Sequence, residues 1–316
     1  MCAGSSSPAR KIALIGATGF IGRRVAAHLL ARGDDVLALV RPESRHRDAL
    51  PPGVRSSEVR LDPADPRLAA ALGEADAVIY AAGAVRGRDL ADFLPANVRG
   101  VEAVAAVLGA LTPPRPLILL SSLAASEPGL SPYARSKRMG ELVLAGSPGR
   151  LPWTILRPTA LYGPGDRELR PLLALMRRGW LLCPAGPLQR LSFLEVDDLA
   201  RALLAALDHP EAVRHRTYSL DDGRPGGYDR SALAASLRPH GRMHCVRVPR
   251  AVLSLAAHMN RGAARLLGYA PMLTPGKVGE LTHPSWIGDN GPFTAATGWR
   301  PQSDLAAGTR ALFGPV

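Results

Sequence analysis

Residues 11–120 alternate short strand-like runs with stretches of helical periodicity. Strands are predicted at residues 11–15, 36–40, 58–61, 77–80 and 117–120, with helical spacing of apolar positions over 21–32 and 97–111. Residues 133–145 read as a further helix, entered from the Ser131-Pro132 turn, and more strands are predicted at 153–156 and near 191–193. Strands that alternate with helices in this way join as βαβ units. The pattern therefore predicts an α/β protein built on a doubly wound parallel sheet. From about residue 166 the texture changes to Pro-punctuated helices and short strands. Two units are expected: a sheet domain over 10–165, to which 191–210 return, and a smaller C-terminal substrate-binding lobe from 166–190 and 211–316. Residues 199–207 and 252–267 are amphipathic and read as core-facing helices rather than membrane anchors.

The turn after the first strand reads Gly16-Ala17-Thr18-Gly19-Phe20-Ile21-Gly22 and leads into a helix. Glycines at this spacing let the backbone turn sharply, approach a pyrophosphate and pack helix against strand, while the helix start offers free N–H groups to an anion. Strand, glycine loop and helix together predict a Rossmann dinucleotide site, with Gly16, Thr18, Gly19, Phe20, Ile21 and Gly22 in contact with the cofactor. An acidic residue at the end of the second strand would hold the ribose hydroxyl of NAD. The chain has Arg41 there, which suits the 2′-phosphate of NADP, so NADP(H) is expected, with NAD as the alternative. Arg23 or Arg24 would add charge. Asp62, read as the end of the third strand, would accept from the adenine amino group or serve as a turn residue. Ala81-Ala82-Gly83 is small enough to pass under a nucleotide, although a plain turn also explains Gly83.

The fifth strand ends in Ser121-Ser122, and eleven residues after Ser122 comes Tyr133, with Lys137 one helical turn further on. Positions i and i+4 share a helix face, so the phenol and the ammonium point together toward the carboxyl ends of the strands. A phenol titrates near ~10, and a neighbouring positive charge favours its ionised form. Tyr133 is thereby a candidate proton donor and acceptor, and Ser122, Ser121 or Ser131 its hydroxyl partner.

Composition sharpens this picture. The chain has 316 residues, 39 basic against 27 acidic side chains and a net charge of +12, yet only three of the basic residues are lysines. Lys137 is one of the three, where a compact ammonium differs from a planar guanidinium. The arginine excess follows the Gly-, Pro- and Ala-rich composition of a GC-rich coding sequence, and no basic run interleaved with aromatics points to nucleic acid. Cys2, Cys183 and Cys245 are odd in number and widely spaced, so neither a disulfide framework nor a metal site is indicated. No apolar leader and no run of 18 apolar residues is present, so no transmembrane segment and a cytoplasmic location are expected.

The ordered motifs carry a resemblance. The glycine loop, Ala81-Ala82-Gly83, Asn97-Val98-Arg99-Gly100, Ser121-Ser122, Tyr133 with Lys137, Leu156-Arg157-Pro158-Thr159, Tyr162-Gly163-Pro164-Gly165 and Val196-Asp197-Asp198 resemble the extended and atypical short-chain dehydrogenase/reductases, the NAD-dependent epimerase/dehydratase type. The resemblance spans about residues 11–210, with a weaker echo at residues 297–301. It implies that Tyr133 is the acid/base, that Lys137 holds the nicotinamide ribose and lowers the tyrosine pKa, and that Ser122 orients the substrate oxygen. It implies a water relay at Asn97, whose plainer reading is a helix N-cap, and it lines the nicotinamide side with the segment Arg157-Pro158-Thr159. A homodimer is a family expectation only. Dehydratases of the family carry an Asp-Glu pair where this chain has Leu123-Ala124, so sugar dehydration is disfavoured. Asp197-Asp198 is read as a helix-start dipole pair.

The leading expectation is an NADP(H)-dependent oxidoreductase that interconverts a secondary alcohol and a ketone on a small-molecule substrate. A nucleotide-sugar or related epimerase with bound NAD and a non-catalytic NAD(P)-binding protein are the alternatives. Trp180, Trp286, Tyr228 and Met272 are candidates for an apolar substrate pocket or for ordinary packing.

Overall fold

The computed structural model describes residues 9–44, 47–147, 151–184, 189–238 and 242–314; Cys2 and the start of the chain lie outside them. Seven parallel strands form the central sheet. Six of them are β1 (Lys11–Ile15), β2 (Asp35–Val40), β3 (Arg55–Glu58), β4 (Ala77–Tyr80), β5 (Leu117–Leu120) and β6 (Trp153–Pro158), and the seventh is Arg216–Leu220. In space the order runs Arg216–Leu220, β6, β5, β4, β1, β2, β3. The chain thus builds outward from β1 in one direction to β3 and in the other, from β4, to the far edge. The crevice between the carboxyl ends of β1 and β4 is the switch point where open α/β sheets bind ligands.

Strand side chains alternate between two cores. Ile12 and Leu14 of β1 face α1 (Phe20–Arg32) and the helix Val196–Asp208, while Ala13 and Ile15 face α2 (Pro66–Gly73) and α4 (Gly100–Ala110), the last part of a helical run that starts with α3 (Leu90–Leu94) and Pro95–Arg99. Burial on both faces explains the nearly continuous apolar runs of β4 and β5. A third core gathers Tyr162, Leu173, Phe193 and Tyr228 away from the main sheet.

Several elements differ from expectation. β3 ends at Glu58 rather than starting there. As an edge strand whose residues are largely exposed, it carries no apolar signature to locate it. The strand expected at 191–193 is two short ones, Arg190–Leu191 and Phe193–Glu195, each paired outside the main sheet. Residues 216–220, assigned to the lobe, pair with β6 and close the sheet edge. The helix expected from 97 begins at Leu90, and the run Leu90–Ala110 is long and apolar enough to cross a membrane, but more than half of it is buried in the fold.

The helix Arg250–Leu267 buries only Ala257 and Ala264, so its apolar stripe does not face a core. The two alanines sit against the protein and turn the larger apolar residues outward. Cys183 and Cys245 form a disulfide, because the parallel pairing of Trp180–Cys183 with His244–Arg247 brings together residues 62 apart in sequence. That closure depends on the fold and leaves no trace in cysteine spacing.

Candidate active site

The loop after β1 forms an anion cradle from backbone alone. Gly16 has a φ of +91°, and a Cβ there would lie 2.5 Å from the Ala82 nitrogen and 2.7 Å from the Ala81 carbonyl carbon. Only glycine lets the loop pass against the end of β4. A Cβ on Gly22 would strike the Gly16 carbonyl oxygen at 2.1 Å, so the first turn of α1 sits directly on the loop. Gly19 caps α1 with no side-chain hydrogen bond, and the first turn carries no acidic residue. The Gly19 N–H closes the loop by donating to the Gly16 carbonyl at 3.0 Å, whereas the N–H groups of Phe20 and Ile21 and the positive end of the helix dipole are left for a ligand, and half-buried Thr18 stands in the same loop.

Of the two arginines in this turn, Arg24 is already committed. It makes a bidentate pair with Asp197 at 2.7 and 2.5 Å, joined by His28 at 3.0 Å. Burial pushes the Asp197 carboxyl up, but His28 and Arg24 outweigh it and hold the group below the usual carboxylate range. Asp197 thus ties α1 to the helix Val196–Asp208, whose N-cap acceptor is Glu195. The buried Asp198 holds Arg201 and the backbone of Gln302 and Ser303. Arg23 instead extends toward the loop at Gly165, its Nη2 3.5 Å from where a Cβ on that glycine would be. Arg41 is exposed immediately after β2. Asp62 lies four residues beyond the end of β3, not at it, and one of its oxygens accepts from Ala64 N at 2.9 Å, as in a turn.

The acid/base group is built on α5 (Pro132–Ala145). Ser131 caps this helix by accepting from Ala134 N at 2.9 Å, and Pro132 occupies the first position. That start fixes the helix phase, so Tyr133 and Lys137 turn inward together. The Tyr133 hydroxyl lies beside Ser122, and its ring meets Phe93 edge-on at 6.0 Å. Lys137 is only 8% exposed and donates to the Leu120 carbonyl at 3.0 Å. A Cβ on Gly83 would sit 3.0 Å from Lys137 Nζ and 3.2 Å from Asn97 Oδ1, so this glycine is required by close approach and not merely by a turn.

Asn97 is not an N-cap. It lies inside a π-helical segment, Pro95–Arg99, whose Ala96 carbonyl accepts from the Tyr80 hydroxyl at 2.6 Å. Its side chain accepts from Ala84 N at 2.9 Å and donates to Ala84 O at 3.1 Å and Ser136 Oγ at 2.8 Å. The loop at 83–84 is thereby fastened to α5. π-helical insertions of this kind recur at functional sites because they swing one side chain out of register.

The three serines have separate partners. Ser121 donates to Glu141 at 2.6 Å, Ser131 donates to Glu280, and Ser122, which accepts from Ala124 N at 3.2 Å, is the one beside Tyr133. Glu141 is 2% exposed and is gripped by Arg157 in a bidentate pair at 2.8 and 2.6 Å. Burial, opposed by Ser122 and aided by the Glu280 charge, pushes the Tyr133 phenol up to about 12. Burial also pushes Lys137 down to about 8, with the Glu141 charge opposing. The expectation that Lys137 lowers the tyrosine does not hold for the protein alone, since the low-dielectric surroundings that bring the pair together disfavour both charges.

Glu141 and Glu280 escaped the sequence reading. Glu141 sits four residues after Lys137 on the same helix face, a spacing open to notice. Glu280 belongs to the helix Pro275–Thr282 of the C-terminal lobe, which docks where a Cβ on Gly276 would lie 2.7–2.8 Å from Pro132 and Ser131. It is the first acidic residue after an acid-free stretch from 230 to 279, and Lys277 pairs with it at 2.8 Å.

The residues present fit a dinucleotide. Besides the glycine cradle and the open helix end, Thr159, just past Pro158 at the end of β6, has a buried hydroxyl with no partner, at the edge of the sheet where a ligand group would meet it. Among the aromatic pocket candidates, Tyr228 is fully buried and donates to Asp222, Trp286 donates to the Glu280 carbonyl, and Trp180 is exposed. Among the described residues no group of His, Cys, Asp or Glu could hold a metal ion.

The model of the NAD dependent epimerase/dehydratase family matches residues 12–220. The chain is 33% identical over 289 residues to ceramide reductase of Caulobacter vibrioides, covering 89% of this chain and 87% of that protein. It is 30% identical over 241 residues to 2-alkyl-3-oxoalkanoate reductase of Stenotrophomonas maltophilia, covering 68% and 71%. Among solved structures, a putative epimerase from Burkholderia cenocepacia superposes with a TM-score of 0.70 at 21% identity, over 98% of this chain and 99% of that one, a likeness of fold.

Proposed function

Because the chain belongs to the NAD dependent epimerase/dehydratase family, and is accordingly an enzyme of the NAD(P)-dependent oxidoreductase or epimerase type, we propose that it reduces a ketone on a long-chain, lipid-like substrate with NADPH. The observation that carries the reading is the Tyr133 hydroxyl beside Ser122 with the buried Lys137 one turn along the same helix face. Two similar proteins are named as reductases of ceramide and of an alkyl-substituted oxoalkanoate, which favours reduction over epimerisation and an alkyl chain over a sugar nucleotide.

The dinucleotide, when bound, supplies hydride at nicotinamide C4. Ser122 orients the substrate carbonyl oxygen, and Tyr133, protonated at neutral pH with its pKa near 12, hands that oxygen a proton. Lys137 and Thr159 hold the ribose and carboxamide side, and Asn97 keeps the loop at 83–84 in place above them. Gly16, Thr18, Gly19, Phe20, Ile21 and Gly22 take the pyrophosphate, and Ala81 and Ala82 run beneath it. Arg41 selects the 2′-phosphate. Leu123-Ala124 places no carboxylates beside the hydroxyl pair, which disfavours elimination of water.

Calorimetric titration is expected to give tighter binding of NADPH than NADH, with the preference lost in Arg41→Glu. Tyr133→Phe is expected to abolish NADPH-dependent reduction of 3-oxo acyl substrates while nucleotide binding remains. Turnover of a nucleotide sugar without net NADPH consumption would overturn the proposal in favour of epimerisation, and full activity of Tyr133→Phe would overturn the acid/base assignment.

A further inference from the structure

The helix Arg250–Leu267 is about 27 Å long by its 18 residues. Val252, Leu255, Met259 and Leu266 on it are between 56% and 88% exposed. At the helical advance of roughly 100° per residue these four fall within a sector about 60° wide, so they form one apolar stripe along the whole element. Exposed contiguous apolar surface of this kind marks an interaction face. The ribbon that leads into the helix exposes Trp180, Leu182 and Val246 as well.

Charge identifies the occupant. Residues 230–279 contain seven arginines, one lysine and no acidic residue, a charge of +8 out of the +12 of the entire chain. Arg242 and Arg247 are exposed before and at the end of the strand His244–Arg247, Arg250 is exposed at the start of the helix, and Arg265, paired to Asp89 at 2.9 Å, lies near its end. We infer that this face docks the protein on an anionic lipid bilayer, with the aliphatic stripe at the acyl boundary and the exposed Arg242 and Arg247 of the adjoining ribbon at the phosphate headgroups. A second copy of the chain would bring two acid-free, +8 segments together. A nucleic acid would use the arginines and leave the aliphatic stripe in water.

The face is mechanically joined to the active site. Asn260, inside the helix, donates to the Leu273 carbonyl at 2.9 Å, just before the helix Pro275–Thr282, and that helix seats against Ser131 and Pro132, next to Tyr133. Docking would therefore hold the substrate lobe at the lipid surface. The inference stands on the stripe and its charge and is independent of the substrate proposed above.

Sedimentation of the full chain, with NADPH present, with vesicles of phosphatidylcholine alone and of phosphatidylcholine mixed with phosphatidylglycerol tests it without reference to activity. The protein is expected to sediment with the mixed vesicles and not the neutral ones, and to be released as salt is raised. The triple variant Leu255→Asn, Met259→Asn, Leu266→Asn alters only exposed positions, and is expected to lower vesicle binding about tenfold or more with NADPH affinity unchanged. Equal binding by the triple variant, or equal binding to neutral vesicles, would overturn the inference. So would a dimer in sedimentation velocity that the triple variant dissolves while the parent chain ignores vesicles, which would make the stripe a contact between copies.

Discussion

Replacing Lys137 by methionine should make the protein inactive and, at neutral pH, more stable. The side chain is 8% exposed, and burial takes its pKa from 10.5 to about 8. At roughly 1.4 kcal/mol per pKa unit, the folded chain disfavours the charged lysine by about 3 kcal/mol relative to the unfolded chain. Methionine fills similar volume without the charge but forfeits the hydrogen bond to the Leu120 carbonyl, which costs about 1 kcal/mol. A net gain of about 2 kcal/mol at pH 7 is expected.

The sign of the pH dependence follows from the depressed folded pKa. Below pH 8 both states hold the proton and the full penalty is present. Between about 8 and 10.5 the unfolded chain holds the extra proton, so the stability of the parent protein rises with pH and the penalty is relieved. From pH 7 to 9 the parent should gain on the variant by about 1.4 kcal/mol. Comparison at pH 9 stays below the range where buried tyrosines with raised pKa values, Tyr80 and Tyr133 among them, begin to act in the opposite sense. Urea unfolding of both proteins at the two pH values, followed by circular dichroism, measures the difference. A variant less stable than its parent at pH 7, or a stability gap that does not narrow by pH 9, would refute the reasoning.

Glu280→Gln removes a negative charge that raises Tyr133 while keeping an acceptor for Ser131, so the acid limb of the pH profile for alcohol oxidation should move to lower pH; an unmoved limb would mean the phenol does not sense the carboxylate. Gly83→Ala places a methyl 3.0 Å from Lys137 Nζ and 3.2 Å from Asn97 Oδ1, both ends of side chains that can shift, so turnover should fall roughly a hundredfold with the melting temperature changed by only a few degrees. Glu141→Ala strands Arg157 without its bidentate partner in a largely buried setting and should destabilise the protein by about 3 kcal/mol in urea unfolding.

The chemistry that was legible in the sequence is short-range. The glycine loop announces itself because strand, turn and helix start are contiguous, and Tyr133 with Lys137 because one helical turn joins them. Even there, spacing gave the pairing but not the electrostatics: only the burial of α5 explains why both groups resist ionisation. The choice among Ser121, Ser122 and Ser131 was open because it rests on partners 20 and 149 residues away, Glu141 and Glu280, which occupy the other two hydroxyls. Cys183 with Cys245 and the strand Arg216–Leu220 are likewise set by pairing at long range.

The helix Arg250–Leu267 marks a different limit, and it bears on function. Hydrophobic periodicity fixes that a helix has two faces, yet it is silent on which solvent each face meets, because a stripe at 3.6-residue spacing is the same whether protein, lipid or another chain covers it. A core-facing helix packs through its large apolar residues. This one packs through Ala257 and Ala264 and leaves Leu255, Met259 and Leu266 outside. The discriminating signal lay in charge rather than periodicity. An acid-free run of 50 residues is a poor design for an interior element, which needs no net charge, and a sound one for a surface that must meet anions. The first carboxylate after that run is Glu280, and it faces inward to Ser131 and the acid/base helix. The segment thus exposes Arg242, Arg247 and Arg250 to solvent, while Glu280, with Lys277 beside it, is placed at the active site. An enzyme that takes a lipid-like ketone from a charged membrane surface would need this separation, since a carboxylate on the outer face would weaken docking while one beside Tyr133 keeps the phenol protonated for reduction.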